Sequence, residues 1–124
     1  MENGKKNWYI ADGYLPYKGL EPDANFEGHE AIMILNCNEQ DANIYMDIYY
    51  EDKAPIKDVK LTVAAERIKC IRVDHPDEMG GVVINRQEQY SIRIRSDVPV
   101  VVQYGRMDLA KPNLAYIGLM GYSE

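Results

Sequence analysis

The run ANIYMDIYY, Ala42 to Tyr50, alternates without a break. Ile44, Met46, Ile48 and Tyr50 fall on one side, and Asn43, Tyr45, Asp47 and Tyr49 on the other. Successive side chains of a strand point to opposite faces, so a period of two predicts a strand with one side in a core. An amphipathic helix would need a period near 3.6 instead. QYSIRIRS, Gln89 to Ser96, repeats the pattern with Tyr90, Ile92 and Ile94 against Ser91, Arg93 and Arg95. Two such runs commit the chain to antiparallel sheet.

The remaining segments follow suit. NWYIA (Asn7 to Ala11) is a short β-prone run closed by Asp12-Gly13, and HEAIMILN (His29 to Asn36) is apolar on both faces, as suits a strand covered on two sides. The polar CNEQD between His29–Asn36 and Ala42–Tyr50 has hairpin length, which makes those strands antiparallel neighbours. EDKAP turns the chain into KDVKLTV (Lys57 to Val63), followed by ERIKCIRV (Glu66 to Val73) and the loop-forming DHPDEMGG. The turn formers in SDVP predict a second hairpin, pairing Gln89–Ser96 with the following valine run. LAYIGLMGY (Leu114 to Tyr122) reads as a closing strand, and Pro112 limits any helix near MDLAKPN. About seven or eight short strands in one chain predict an antiparallel, jelly-roll-like β-sandwich, a single domain over residues 1–124.

Ten of the aromatics are Tyr, against one Phe and one Trp, which favours strands with half-wet surfaces. A net charge of −6 argues against nucleic acid and anionic membranes as partners, although Arg93 and Arg95 form a local basic pair. Cys37 and Cys70 are expected as free thiols. MENGKKNWYIADGY lacks the apolar core of a signal peptide, and no segment is long and apolar enough to span a bilayer. The expected location is cytoplasmic.

The chemistry concentrates in SDVPVVVQYGRMD, Ser96 to Asp108, a core strand that takes up Gln103, Arg106 and Asp108 without a new element. Burying such groups unpaired costs several kcal/mol each, on the order of the net stability of a small domain. Either Arg106 pairs with Asp108 to stitch the strand end, or these groups face something that binds. A bulge at Gly105 would bring Gln103 and Arg106 to one side. His29-Glu30 supplies at most two metal ligands, since strand neighbours face opposite ways, and His75 is the other histidine. No metal and no cofactor is expected. Ser91 and Ser96 lack a nucleophile-elbow context, neither cysteine has a histidine nearby in sequence, and a Glu30–Asp108 carboxylate pair has no motif behind it. The expectation is a protein that is not an enzyme.

WYIADGYLP, HEAIMILN, IYYEDKAP, LTVAAERIKCIRV and SDVPVVVQYGRMD stand in the order and spacing of the sensory rhodopsin transducer family, which the chain resembles from Trp8 to about Tyr122. The resemblance implies an all-β sandwich assembled as a homotetramer. It also implies a small-molecule binding module with sugars or sugar derivatives as ligand class. Family polar positions map onto Trp8, Gly13, His29, Glu30, Asn36, Gln103, Arg106 and Asp108. The chain departs from the family at Asp12, where Glu is frequent, and at Tyr104-Gly105, where His-Thr precedes the arginine. Two roles follow as expectations. The first is a sensor or signalling module holding a carbohydrate-like metabolite through Trp8, His29, Glu30, Asn36, Gln103, Arg106 and Asp108. The alternative is an adaptor docking on the cytoplasmic face of a membrane photoreceptor or other receptor. An adaptor calls for an exposed hydrophobic or basic patch, and a binding module for a concave pocket with convergent polar groups.

Overall fold

A computed structural model describes residues 3–19, 27–108 and 115–124. It contains β1 (Lys5–Tyr14), β2 (His29–Asn36), β3 (Ala42–Tyr50), β4 (Ile56–Val63), β5 (Arg67–Arg72), β6 (Gln89–Asp108), β7 (Ala115–Met120) and β8 (Tyr122–Ser123). A single 3-10 turn, Pro76–Glu78, is the helical element among the described residues. All pairings are antiparallel. Sheet A has the order β4-β3-β6-β1-β8, and sheet B runs β5-β2-β6-β7. The two sheets share β6 and close over one core, an all-β sandwich.

The alternation read in the sequence sets which faces meet. Ile44, Met46 and Ile48 of β3 and Ile92 and Ile94 of β6 point inward from sheet A. Ile32 and Ile34 of β2, Ile71 of β5 and Val102 and Tyr104 of β6 meet them from sheet B. Burying a side chain of this size is worth about 1.5–3 kcal/mol, so each of these positions contributes measurably to the fold's stability.

Two expected hairpins do not form. Strands β2 and β3 are not neighbours: residues 37–41 carry the chain from sheet B to sheet A. A short polar loop fits either connection, and buried Asn36 settles it. Its amide donates to the carbonyls of Gln40 (2.9 Å), Val63 (3.1 Å) and Ala64 (3.2 Å), and its Oδ1 accepts from Asn38. The second correction concerns SDVP, which is not a turn, because β6 continues through it for 20 residues.

Its first half, to Ser96, pairs with β3, and its second half, from Val101, pairs with β2. Between Lys5 and Asn7 the register with β1 jumps from Val100 to Arg95, so the intervening residues form the corner. Asp97 holds this corner by accepting from the Asn43 backbone N–H and side-chain amide, both at 2.8 Å. Pro99 sits where no partner strand needs its missing N–H. The hairpin expected around SDVP is instead a bend that moves one strand between two sheets. Met107 and Asp108 continue β6, and the rest of the MDLAKPN segment lies outside the described residues.

Trp8 locks the same corner. Its buried indole Nε1 donates to the carbonyls of Lys5 and Val100, both at 3.0 Å, where the register jumps. Trp8→Phe keeps most of the apolar contact but loses both bonds. It is expected to cost about 1–3 kcal/mol in urea unfolding, and an unchanged midpoint would refute this role.

Candidate functional site

Glu30 is fully buried, and a buried carboxylate requires compensation. It comes from three elements. The Tyr14 backbone N–H in β1 lies 3.0 Å from both carboxylate oxygens. The hydroxyl of buried Tyr90, at the start of β6, donates a short hydrogen bond to Oε1. Arg106, near the end of the same strand, donates from Nε to Oε2 at 2.8 Å. Burial pushes the Glu30 carboxyl above its usual range, against the downward pull of Tyr90, Tyr14 and Arg106. The Tyr90 phenol is pushed well up by its own burial and by the Glu30 charge beside it.

Gly13 makes the cluster sterically feasible. A Cβ there would fall 2.5 Å from the Tyr90 ring, so glycine lets the ring lie against β1 and reach Glu30. Arg106 points outward from this clasp. Its Nη2 donates to the Asp12 carbonyl at 3.3 Å, and Asp12 Oδ1 lies 3.7 Å away. The rings of Tyr14 and Tyr104 flank the guanidinium, each centroid 5.8 Å from Cζ. The Tyr104 hydroxyl is buried without a hydrogen-bond partner among the described residues.

The other residues singled out in the sequence are dispersed. Trp8 and Asn36 lie in the core with their polar atoms engaged in backbone bonds. No bulge occurs at Gly105: the register with β2 and β7 runs through it unbroken, leaving Gln103 and Arg106 on opposite faces. That glycine instead makes room for Tyr116, whose hydroxyl would lie 2.1 Å from a Cβ. Gln103 and His29 therefore share the outer face of sheet B, and the His29 Nδ1 lies 2.8 Å from the Glu27 carbonyl oxygen. Arg106 makes its ion pair with Glu30 rather than Asp108, which has contacts of its own. The cluster thus unites Glu30 and Arg106 with Tyr14 and Tyr90, which the sequence did not single out, and with exposed Asp12, which it marked as a departure from the family pattern.

Two further charge clusters are internally balanced. Glu27, Asp74 and His75 converge closely enough to ligate an ion. Arg72 and Arg86 already hold the Asp74 carboxylate, at 2.7 and 3.3 Å, which makes this an ion-pair network. The basic pair expected at Arg93 and Arg95 is divided, since Arg95 is held by Asp47 (2.8 Å) and Asp58 (2.7 Å).

The sequence profile of the Anabaena sensory rhodopsin transducer family matches residues 3–123. The chain belongs to that family. Among solved structures, it resembles the Anabaena sensory rhodopsin transducer, with 38% identity and a TM-score of 0.71 over 84% of this chain and 89% of the other. The structure titled Thermotoga maritima 1070 is 28% identical, with a TM-score of 0.85 over 98% of this chain and 97% of that one. No protein of curated description matches. The family assignment agrees with the resemblance carried by WYIADGYLP through SDVPVVVQYGRMD. Among the described residues of this transducer-family chain, no helix is long and apolar enough to cross a membrane.

The clasp makes Arg106 stabilising as well as accessible. Arg106→Ala leaves the Glu30 charge in the interior with two partners instead of three, at an expected cost of about 3 kcal/mol near neutral pH. The sign with pH follows from the raised carboxyl. A carboxylate whose folded pKa lies above its unfolded value loses stability as pH rises from the unfolded value through the folded one. Losing Arg106 raises the folded value further, so the penalty should shrink as pH falls towards the ordinary glutamate range. Urea melts across that interval measure it, and a penalty independent of pH would contradict the clasp.

Proposed function

We propose that this chain is a transducer of the adaptor type, which relays the state of a membrane receptor by protein contact and without catalysis. The observation that carries this reading is the apolar outer side of sheet B. In cross-strand rows, Ile68, Leu35 and Val101 stand side by side, as do Met33, Gln103 and Met120, while Met107 adjoins Tyr116. Leu35, Ile68, Met120 and Tyr116 are all well exposed. Strand β2 is apolar on both faces, and among the described residues its outer face is open at Leu35, half-covered at His29 and Met33, and covered at Ala31. Contiguous apolar surface of this kind marks an interaction site.

Strand β7 strengthens the reading. All six of its residues are exposed, with Ile117 and Leu119 on one face and Tyr116 and Met120 on the other. Among the described residues β7 pairs with β6 alone, and a strand edge without charge or proline is a ready template for pairing with another chain. The reading assigns this edge to self-association, in keeping with the homotetramer expected from the family, and the Leu35–Ile68 end to the receptor. The corresponding location is the cytoplasmic side of a membrane.

Binding to a sensory rhodopsin held in lipid nanodiscs tests the role. The wild type should bind at micromolar concentration, and Leu35→Asp with Ile68→Asp should remove binding while leaving the melting temperature intact. Wild-type chain that stays free of the receptor would overturn it. Light scattering tests the edge: Ile117→Asp with Leu119→Asp should reduce an oligomer to the 14.2 kDa monomer. A wild type already at that mass would contradict self-association.

A second reading, a module for a carbohydrate or sugar-derived ligand, is favoured by the mouth of the Glu30 clasp. There a cation sits between two tyrosine rings beside the exposed Asp12, a combination suited to the apolar face and hydroxyls of a sugar. A thermal-shift screen of neutral sugars and sugar acids tests it. A rise lost in Asp12→Asn supports the reading, and no rise with any of them rejects it.

A further inference from the structure

We infer that a groove on the outer face of sheet A binds a small organic oxyanion, a carboxylate or phosphate carried on a ring. The groove lies over β1, β6 and β3, with a volume of about 460 Å³, within the range of small-molecule sites. Its shape follows from the sequence. Tyr9 on β1 and Tyr49 on β3 form the walls, and between them small residues, Ala11 and Ser91, form a low floor. Adjacent strands lie about 4.8 Å apart, so the wall backbones stand roughly 10 Å from each other across β6. That gap admits one ring between or against the tyrosines.

Arg93 stands at one end of this floor, paired across the sheet with Tyr9 and Asp47. Its neighbour Arg95 spends its charge on Asp47 and Asp58, and Asp47 also accepts from the Asp58 backbone N–H at 3.0 Å. Arg93 has no carboxylate within 4.0 Å among the described residues, and its Nε is covered without a hydrogen-bond partner. The guanidinium is held over the Tyr9 ring, 5.9 Å from the centroid. Arg93 acts on Asp47 at longer range and on the Tyr9 hydroxyl nearby; in a chain of net charge −6, an arginine without a close ion pair in a concavity selects an anion, and its planar fork matches a carboxylate or phosphate.

The remaining polar groups refine the class. Ser91 Oγ donates to the Ala11 carbonyl at 2.6 Å, so its oxygen is free to accept from a ligand hydroxyl. The Tyr9 hydroxyl donates to Glu124 Oε1 at 2.9 Å, which places a carboxylate of the chain itself at the rim. Glu124 therefore competes with an incoming anion. The site is separate from the clasp of Glu30 and from the apolar side of sheet B, and stands whether or not the receptor role does.

Calorimetry with benzoate, glucuronate and phenyl phosphate, beside neutral benzyl alcohol and glucose, tests it. Binding of the anions without their neutral counterparts is expected, and comparing benzoate and glucuronate with phenyl phosphate decides between carboxylate and phosphate. Arg93→Gln should weaken the bound anion about tenfold or more, Arg93→Lys should give an intermediate loss, and Glu124→Gln should tighten binding. The proposal is overturned if no anion binds the wild type at millimolar concentration, or if binding survives Arg93→Gln. It is equally overturned if Asp12→Asn removes the binding instead, which would assign the anion to the clasp mouth.

Discussion

Tyr90 and Arg106 stand near opposite ends of one strand, yet both hydrogen bond the same carboxylate, that of Glu30. A straight strand of that length would hold them about 50 Å apart. Their meeting requires β6 to bend, and the bend at Ser96–Val100 is what lets one strand serve two sheets. Asp97 and Trp8 fix the corner, while Glu30 closes the far end and adds the Tyr14 backbone of β1. The clasp and the corner are two halves of one constraint. The energetic logic is that of a buried ion: costly alone, and tolerated only when several elements arrive together.

How much of this could be read beforehand differs by level. The strands were legible because alternation is local: Ile44, Met46 and Ile48 announce their face within nine residues. Their partners were not, because pairing is decided by contacts distant in sequence. CNEQD has the length of a hairpin, and only the buried amide of Asn36, bonded to Val63 and Ala64, turns it into a crossing between sheets. SDVP carries turn formers, but Asp97 spends its carboxylate on Asn43 and the strand runs on. At the site, Glu30 and Arg106 were visible as charges set in apolar runs. Tyr90 was hidden among core-facing residues, and Gly13 was visible only as a family position. Its purpose, room for the Tyr90 ring, depends on the neighbouring strand.

The two outer faces divide the surface chemistry. Sheet B presents Leu35, Ile68, Met120 and Tyr116, a face suited to protein contact. Sheet A presents tyrosines interleaved with Arg93 and Arg95, the latter held by buried Asp47, a face suited to small polar molecules. Strand β6 contributes to both, so a ligand at Arg93 and a partner beside Gln103 would act on the two halves of one bent strand.

Through Glu30 the two halves of β6, together with β1 and β2, should open as a single cooperative unit. Native-state hydrogen exchange measures this directly, because amides that open together share one opening free energy. A common value is expected for Tyr14, for the Ile92–Ile94 stretch in sheet A and for Val102–Tyr104 in sheet B. Glu30→Leu should separate the two stretches. Two distinct opening energies in the wild type, one for each sheet, would contradict it.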